Sequence, residues 1–282
     1  MKQKNLLLAF IFILPLASSA QRLHADLFAG IANYQGDLQG KRLTLSQSQP
    51  AIGLGASYDL TNKFIARAGF TYGRVGATDQ KNSSGKGIEF RNLSFKSDII
   101  EFQLGAEYNI FDLGERDITP YVFAGAAIYH FDPYTTDQAG NKVFLRPLST
   151  EGQGLAAYPY RKPYKLTQFA IPFGAGVKVY ISQRIQVGLE LGLRKLFTDY
   201  LDDVSTSYVD STTLADAKGP LAAELAYRGD EVSGGPAYPA EGTQRGNSKY
   251  KDWYYFTGLR LIYTINAGKK GRSLSCPAKR YW

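Results

Sequence analysis

The chain has 282 residues and a formal net charge of +8, but the basic excess is modest and scattered except near the C-terminus, which argues against nucleic-acid binding. Cys276 is the only cysteine, so an internal disulfide framework is excluded. Aromatic residues make up 13% of the chain and glycine occurs 29 times, a composition that favours β-structure in an exported protein.

Residues 1–20 have the pattern of a secretory signal peptide. Lys2 and Lys4 precede an apolar run over residues 6–16, which is followed by the small residues of 17–20. We predict cleavage after Ala20, which would lower the net charge from +8 to +6 because two lysines and no acid are removed. An uncleaved anchor is the alternative, although the run is shorter than the about 20 apolar residues of a spanning helix.

Eight later segments alternate apolar and polar residues, the pattern of a strand whose two faces meet different environments. In chain order they span residues 23–32, 52–59, 64–73, 100–110, 121–131, 168–179, 185–194 and 253–265. Each supplies about the 9–11 residues that a tilted membrane strand requires.

Three of these segments depart from simple alternation. Upstream of the fourth, the phase slips around Phe95, as a bulge or an exit from the membrane would cause. The fifth has large aromatic residues on one face but Val122 and Ile128 on the other. In the sixth, Pro172 predicts a bulge because proline lacks the N–H group that a β-ladder needs.

The connections between the segments alternate in length. Those after the second, fourth and sixth segments are short, whereas those after the first, third, fifth and seventh have roughly 15, 15, 30 and 50 residues. A soluble β-sandwich also has alternating strands, but short periplasmic turns and long external loops are typical of an outer-membrane barrel. We therefore predict an all-β fold, an eight-stranded antiparallel transmembrane β-barrel over residues 21–266.

The charges indicate which strand faces point inward, because Lys or Arg facing lipid at the midplane costs about 2–4 kcal/mol. The charged faces carry similar numbers of acidic and basic residues, and they include Asp59 at the end of the second segment. We expect an interior network of Asp26, Arg67, Glu101, Glu107, Lys178, Glu190, Arg194 and Arg260. Since an eight-stranded barrel is just wide enough to be filled by side chains, the interior is predicted to be plugged rather than porin-like.

Asp199, Asp202 and Asp203 lie in the segment FTDYLDDVSTSYVD, at the outer end of the seventh strand. We interpret them as a structural rim that binds loop N–H groups and basic side chains. Calcium binding and catalysis are alternatives, although the spacing matches neither an EF-hand nor a paired-carboxylate hydrolase. The stretch STEGQG, residues 149–154, implies a specific turn that we expect to pack on this rim, with a ligand site as the alternative.

His130, close to Asp132 at the outer end of the fifth strand, is the remaining catalytic candidate, but a histidine in an ordinary hydrogen bond is the simpler interpretation. We therefore predict no catalytic residues, no cofactor and no enzymatic activity.

The segment 267–282 is basic and follows the last strand, so it is predicted to lie in the periplasm. Its charges could contact anionic membrane lipid, or they could dock an acidic periplasmic partner with aromatic anchors. The candidate partner-binding residues are Lys269, Lys270, Arg272, Lys279, Arg280, Tyr281 and Trp282. Cys276 lies in the same segment and could form an intermolecular disulfide or remain a free thiol.

With strands and loops placed, nearly the whole mature chain resembles the PorG-like family of outer-membrane barrels associated with type IX secretion. The resemblance rests on strand segments such as LFAGIANYQGDL, PAIGLGASYDLTNKFIARAGFTYG, RNLSFKSDIIEFQLGAEY, TPYVFAGAAIYHFDP and IPFGAGVKVYIS. It also rests on the late CPAKRY, and the ordered set is more specific because it includes STEGQG and FTDYLDDVSTSY.

This resemblance implies a non-enzymatic outer-membrane component that associates with a periplasmic, lipoprotein-containing ring of the secretion machinery and, in some members, contributes to gliding motility. It implies outer-membrane lipid and ring proteins as partners, and no catalytic residues. A surface receptor or adhesin that binds ligands through its long external loops is the alternative, and a hydrolase at the rim is a further class.

Overall fold

A computed structural model describes residues 22–41, 44–81, 89–112 and 116–265. The predicted signal peptide, its cleavage site and the basic C-terminal segment with Cys276 lie outside the described residues.

Ten strands and two helices make up the regular structure of the described residues. Eight long strands form the barrel: β1 (Leu23–Gln35), β2 (Gln49–Asp59), β3 (Phe64–Thr78), β4 (Ser94–Asn109), β5 (Ile118–His130), β8 (Thr167–Tyr180), β9 (Ile185–Leu196) and β10 (Trp253–Thr264). The short strands β6 (Pro133–Thr136) and β7 (Lys142–Phe144) form a hairpin, and the connection after β9 contains helices α1 (Ser211–Lys218) and α2 (Pro220–Ala226).

The eight long strands close on themselves. Each pairs antiparallel with its neighbours in the order β3-β2-β1-β10-β9-β8-β5-β4, and pairing of β3 with β4 completes the ring. The ring is closed at both β1–β10 and β3–β4, so no barrel strand is left with an unpaired edge. The predicted eight-stranded antiparallel barrel is therefore confirmed.

The outside of the barrel is an apolar surface of the kind that a bilayer covers. Outward-facing side chains around the circumference remain highly exposed, among them Leu54 (67%), Phe169 (66%), Leu189 (59%) and Leu259 (57%). Soluble proteins rarely expose a continuous apolar surface of this extent, so the barrel is a transmembrane one. None of the helices in the described part of the chain has the length and hydropathy needed to span a bilayer.

The connections alternate in length as predicted. The short ones cover residues 60–63, 110–117 and 181–184, and the long ones cover 36–48, 79–93, 131–166 and 197–252. The long connections all leave the same end of the barrel, which we call the outer end. Two of them contain further strands or α-helices. The loop after β5 contains the hairpin β6–β7, which pairs with the outer end of β4, and the loop after β9 contains α1 and α2.

Two of the expected irregularities are absent. The ladder between β3 and β4 runs in one register from Phe64↔Tyr108 to Thr78↔Ser94, so there is no slip at Phe95. Phe95 and Ile99 point inward, each at most 2% exposed, because the outer third of the barrel interior is apolar rather than charged. The change in pattern in the sequence reflects this change of environment, and the prediction of a bulge there was wrong. The outward positions Asp98 and Lys96 are charged, as an exit of the strand from the membrane requires.

The bulge predicted at Pro172 is also wrong. β8 keeps one register with β9 through Pro172↔Arg194, and its register with β5 is the same on both sides of the proline. Only the two β5 positions opposite Pro172 and Ile171 lack pairing, so the missing N–H removes local ladder bonds without adding a residue.

The fifth predicted segment, whose two faces are both apolar in part, has its aromatic face inside the barrel. Tyr121, Tyr129 and Phe131 are at most 1% exposed, whereas Val122 and Ile128 are each 47% exposed on the outside. Large rings fill the interior along β5, and the smaller aliphatic residues meet lipid.

Candidate functional site

The barrel interior is filled by ion pairs at mid-height. Arg67 donates to both carboxylate oxygens of Glu190, with Nη1–Oε2 and Nη2–Oε1 distances of 2.9 and 3.1 Å. Glu107 lies at the centre of the network and accepts from Lys178 and Arg260 and, at 3.4 Å, from Arg67 Nη1. Arg260 also reaches Asp26, with 2.8 Å between Nη2 and Oδ2. The geometry thus joins residues from six strands.

A second group of charges lies closer to the outer end. Arg194 donates to Glu101 through Nε and Nη2, at 3.0 and 2.9 Å, and Tyr254 Oη donates to the same carboxylate at 2.6 Å. The guanidinium groups also stack on rings, because Arg67 Cζ lies 4.3 Å from the ring centre of Phe123 and Arg194 Cζ lies 4.4 Å from that of Phe256. All eight residues expected in the interior network lie inside the barrel.

The space left beside this network is small. A cavity of about 30 Å³ is lined by the network and by the inward positions Gly53, Gly55 and Gly69, enough for about two water molecules. Paired charges therefore fill much of the barrel interior at mid-height.

A buried polar assembly closes the outer end of the barrel. We call it the outer cap, and it consists of Tyr34, Asp37, Glu151, Asp199, Asp202, Asp203, Arg245 and Asp252. Apart from Asp37, its residues are at most 4% exposed. It joins the loop after β5 to the loop after β9, and the β1 end supports it.

Glu151 is the centre of the outer cap. Its Oε1 accepts from Ser205 N at 2.8 Å and from Arg245 Nη1 at 3.0 Å, while its Oε2 accepts from Thr206 N at 3.0 Å and Oγ1 at 2.6 Å. Tyr200 Oη donates to the same oxygen at 3.2 Å. A fully buried carboxylate with this many donors is satisfied without a bound ion.

The turn that presents Glu151 needs its glycines. Gly152 and Gly154 have φ angles of 75° and 80°, and a Cβ on Gly152 would lie 2.6 Å from a ring carbon of Tyr158. STEGQG therefore forms a specific turn, and it packs on the aspartate segment as expected. Thr150 Oγ1 donates to Asp203, which also accepts from Tyr164 Oη at 2.7 Å.

The three aspartates of the predicted rim have different partners. Asp202 accepts from the Tyr34 hydroxyl and from Val204 N, whereas Asp199 accepts from Ser205 Oγ at 2.8 Å and its Oδ1 has no partner. Burial raises the pKa of Asp199 to about 7 and the pKa of Asp203 to about 6. Among the residues that the structure describes, no group of three or more His, Cys, Asp or Glu is arranged to hold a metal ion.

His130 and His24 lie at opposite ends of the barrel. His130 is exposed on the outside, and its Nδ1 lies 2.9 Å from Thr167 Oγ1. His24 is buried near the short connections, with Nε2 3.0 Å from Asp59 Oδ1 and Nδ1 3.0 Å from Thr264 Oγ1. Both rings are therefore held by hydrogen bonds, His24 inside the barrel and His130 on its outer surface.

Sequence reasoning did not single out Glu151 as a carboxylate centre, nor Arg245 and Asp252 as its neighbours in the cap. Arg245 Nε donates to Ala226 O at 3.1 Å, which connects the end of α2 to the cap. Asp252 accepts from Leu201 N at 2.9 Å. Their sequence neighbourhoods are ordinary loops, so the only signal was the glycine-flanked turn around Glu151.

Comparisons with solved structures return eight-stranded outer-membrane barrels of low similarity. A major outer-membrane protein of Thermus thermophilus is 15% identical, with a TM-score of 0.42 over 87% of this chain and 100% of that one. The attachment invasion locus protein Ail of Yersinia pestis is 8% identical, with a TM-score of 0.41 over 87% and 99%. OprG of Pseudomonas aeruginosa is 10% identical, with a TM-score of 0.41 over 86% and 97%.

No curated protein matches the chain. A family model described as "Domain of unknown function (DUF6089)" matches residues 3–144, and this region includes strands β1 to β5 and the hairpin. Since the match covers just over half of the 282 residues, the chain belongs to the DUF6089 family.

Proposed function

We propose that the protein is a non-enzymatic outer-membrane component of the type IX protein secretion machinery, which anchors or contacts a periplasmic ring that contains a lipoprotein. The observation that carries this proposal is the occluded interior, in which Glu107 is surrounded by Arg67, Lys178 and Arg260. A barrel filled in this way serves as a membrane anchor rather than as a conduit.

Placement in an outer membrane follows from the architecture. Closed barrels with an apolar outer band are the β-structures that span outer membranes, with short turns towards the periplasm. We therefore orient the connections 60–63, 110–117 and 181–184 towards the periplasm and the outer cap towards the exterior.

The secretion role rests on the resemblance to PorG-like barrels. The two segments that are most specific to this resemblance are STEGQG and FTDYLDDVSTSY, and they pack on each other in the outer cap through Glu151 and Asp203. The two segments therefore form one structural unit in this chain. Their joint presence supports a resemblance that goes beyond the strand patterns that many barrels share.

Deletion of residues 267–282 tests the periplasmic contact. The expected result is a barrel that still shifts in a heat-modifiability gel but captures less of the periplasmic ring from crosslinked envelopes, because the seven candidate partner-binding residues are lost. A charge-preserving variant, Lys269→Arg with Lys270→Arg and Lys279→Arg, should capture the ring as the wild type does.

Unchanged capture after the deletion would show that the tail is not the contact, and the short connections would be tested next. Unimpaired export of surface proteins in a strain that lacks the whole protein would contradict the secretion role itself.

A surface receptor or adhesin is the second candidate function, and the ordered outer loops favour it. They present exposed aromatic side chains to the exterior, with Tyr160 96% and Tyr250 76% exposed. Substitution of both tyrosines by Ser should abolish binding of whole cells to a ligand surface while ring capture is unchanged. If the substituted cells bind equally well, this candidate loses its support.

A further inference from the structure

Basic side chains follow the apolar belt at the outer end of most barrel strands. They occupy outward-facing positions beyond the belt, or the equivalent positions just past the strand end. These residues, which we call the rim cations, are Arg74, Lys96, Lys165, Lys195 and Lys251. They come from β3, β4, β8, β9 and β10, whereas the outward acids at the same end are Asp98 and Asp132.

On one side of the barrel the rim cations combine with the hairpin. Arg74 Nε donates to Asp98 Oδ1 at 2.6 Å, and the two side chains keep exposures of 39% and 31%. Lys96 pairs in the ladder with Tyr134 of β6 and is itself exposed. Lys142 of β7 places its Nζ 3.7 Å from the ring centre of Tyr134, so the hairpin adds a second cation beside the ladder partner of Lys96.

On the opposite side, cations and aromatic rings alternate along the rim. Lys195 is exposed and pairs with Trp253, and Phe197, two residues later, is 56% exposed. Trp253 packs edge-on against Phe173, with 6.0 Å between ring centres. Aromatic side chains at this depth mark the boundary between hydrocarbon and headgroups, so the lysines beside them lie at headgroup level.

The surrounding acids do not neutralise this rim. Asp98 pairs with Arg74, and Asp132 is only partly exposed, which leaves Lys96, Lys165 and Lys195 without an ion pair among the described residues. At the other end, the described short connections and the adjacent strand ends are nearly balanced, with Asp59, Asp112 and Asp117 against Arg22, Lys63, Arg116 and Arg184. The unpaired cations are therefore available to negative charge from outside the chain, at the headgroup level of the outer leaflet.

We propose that the rim cations bind the phosphate groups of a phosphorylated glycolipid of the lipid A type in the outer leaflet. A basic residue near an anionic membrane surface contributes measurably to lipid binding, and several together select anionic headgroups. Lys96 and Lys142 both lie next to Tyr134, so this side of the rim offers two cations to a headgroup that carries more than one phosphate. This inference rests on the outer-membrane orientation proposed above but not on the secretion role.

Lipid binding to the full-length protein in phosphatidylcholine nanodiscs tests the inference. Native mass spectrometry would compare phosphorylated lipid A, the same lipid without phosphates, and phosphatidylglycerol added at equal negative charge. We expect the wild type to retain phosphorylated lipid A at least about tenfold better than either alternative, since only it offers paired phosphates on an extended head.

The rim variant combines Lys96→Gln, Lys165→Gln and Lys195→Gln. It should retain phosphorylated lipid A at least about tenfold less well than the wild type. The same three positions changed to Arg should retain the lipid, because charge is preserved. A matched variant with Lys63→Gln, Arg184→Gln and Lys218→Gln removes the same charge away from the rim, and it should bind as the wild type does.

Heat-modifiability of each variant confirms that the barrel is folded before binding is compared. Equal retention of the dephosphorylated lipid, or of phosphatidylglycerol, would overturn the proposal, as would equal loss in the matched variant. Failure of the wild-type protein to capture the ring, with intact lipid binding, would count only against the secretion role, so the two proposals fail separately.

Discussion

Glu151 illustrates how one side chain can organise two loops. Its carboxylate accepts from Ser205 N, Thr206 N and Arg245 Nη1 within 3.0 Å, so it neutralises the guanidinium and pairs backbone donors of the loop after β9. At 0% exposure these groups have no access to water if the carboxylate is lost. Removing one partner of a buried ion pair costs about 3–5 kcal/mol, since the other charge stays buried.

Glu151→Gln is therefore expected to loosen the outer cap without unfolding the barrel. The amide cannot accept from all of these donors and leaves the Asp203 carboxylate, 4.0 Å away, as the remaining ion-pair partner of Arg245 among the described residues. Limited proteolysis should cut the 197–252 loop much faster in the variant, while the barrel still shows its heat-dependent gel shift. Glu224→Gln, on the half-exposed part of α2, is the control and should be cut at the wild-type rate.

The outer cap is also expected to respond to pH through Asp199. Burial raises its pKa from the ordinary 3.8 to about 7, and the nearby Asp37 acts in the same direction. Between about pH 4 and pH 7 the folded cap therefore binds a proton that the opened loop does not, so stability is full at low pH and falls as pH rises to 7.

Hydrogen exchange of the loop amides, corrected for intrinsic rates, reports how often the cap opens. Between pH 7 and pH 5 the population of the opened loop should fall by up to about tenfold for each pH unit. Asp199→Asn should reduce this dependence, although Asp203, with a pKa of about 6, leaves part of it. Burial also raises the pKa values of the cap residues Asp37, Asp202 and Asp252, which contribute in the same direction. Asp216→Asn on the exposed face of α1 serves as the control. If the loop opens more often as the pH falls from 7 to 5, the role given to Asp199 is contradicted.

At the scale of elements, paired glycines shape the barrel wall. Each of the eight barrel strands gives one glycine to a cross-strand pair: Gly30↔Gly258, Gly55↔Gly69, Gly105↔Gly125 and Gly174↔Gly192. At most of these positions a Cβ would collide with the backbone of the neighbouring strand. Close backbone approach at glycine is a recognised means of bending sheets into small barrels.

Gly125→Ala should weaken the barrel, because its Cβ would lie 2.2 Å from Leu104 O and 2.7 Å from Gly105 Cα. Overpacking of this kind costs about 1–3 kcal/mol. Gly69→Ala is the matched control, since its Cβ would first meet the flexible Gln103 Nε2 at 3.3 Å. Urea titration in lipid vesicles should place the midpoint of Gly125→Ala below the wild type and that of Gly69→Ala close to it.

The strand pattern was readable from sequence because each strand has lipid on one side and the interior on the other. Leu189 and Glu190, for example, differ in polarity as their environments differ, and the barrel followed from eight such strands. The pattern failed where the interior itself changes, as at Phe95 and Ile99, which meet other apolar groups. Arg245 could not be predicted as a cap residue, because its partner Glu151 is 94 positions away and only the folded loops bring them together.

For the molecule as a whole, three successive layers occlude the barrel. The ion pairs around Glu107 fill the middle, a layer of aromatic rings that includes Tyr129 and Tyr254 lies above them, and the outer cap covers the end. Tyr254 connects the charged layer to the aromatic layer. Its hydroxyl donates to Glu101, and its ring packs on Tyr129 with ring centres 5.5 Å apart. The cap is therefore not the only barrier between the two sides of the membrane.

Removal of the cap is accordingly expected to leave the barrel closed to ions. Because Lys195 pairs with Trp253, the ends of β9 and β10 are adjacent, and a short Gly/Ser linker can replace residues 200–250. The shortened barrel should show no channel current in planar bilayers, since Arg67, Glu107 and Arg260 still fill its middle. A general porin in the same bilayer provides the positive control, and heat-modifiability confirms the fold. Stable open-channel currents from the shortened barrel would mean that the loops alone close it, and the anchor role would lose its physical basis.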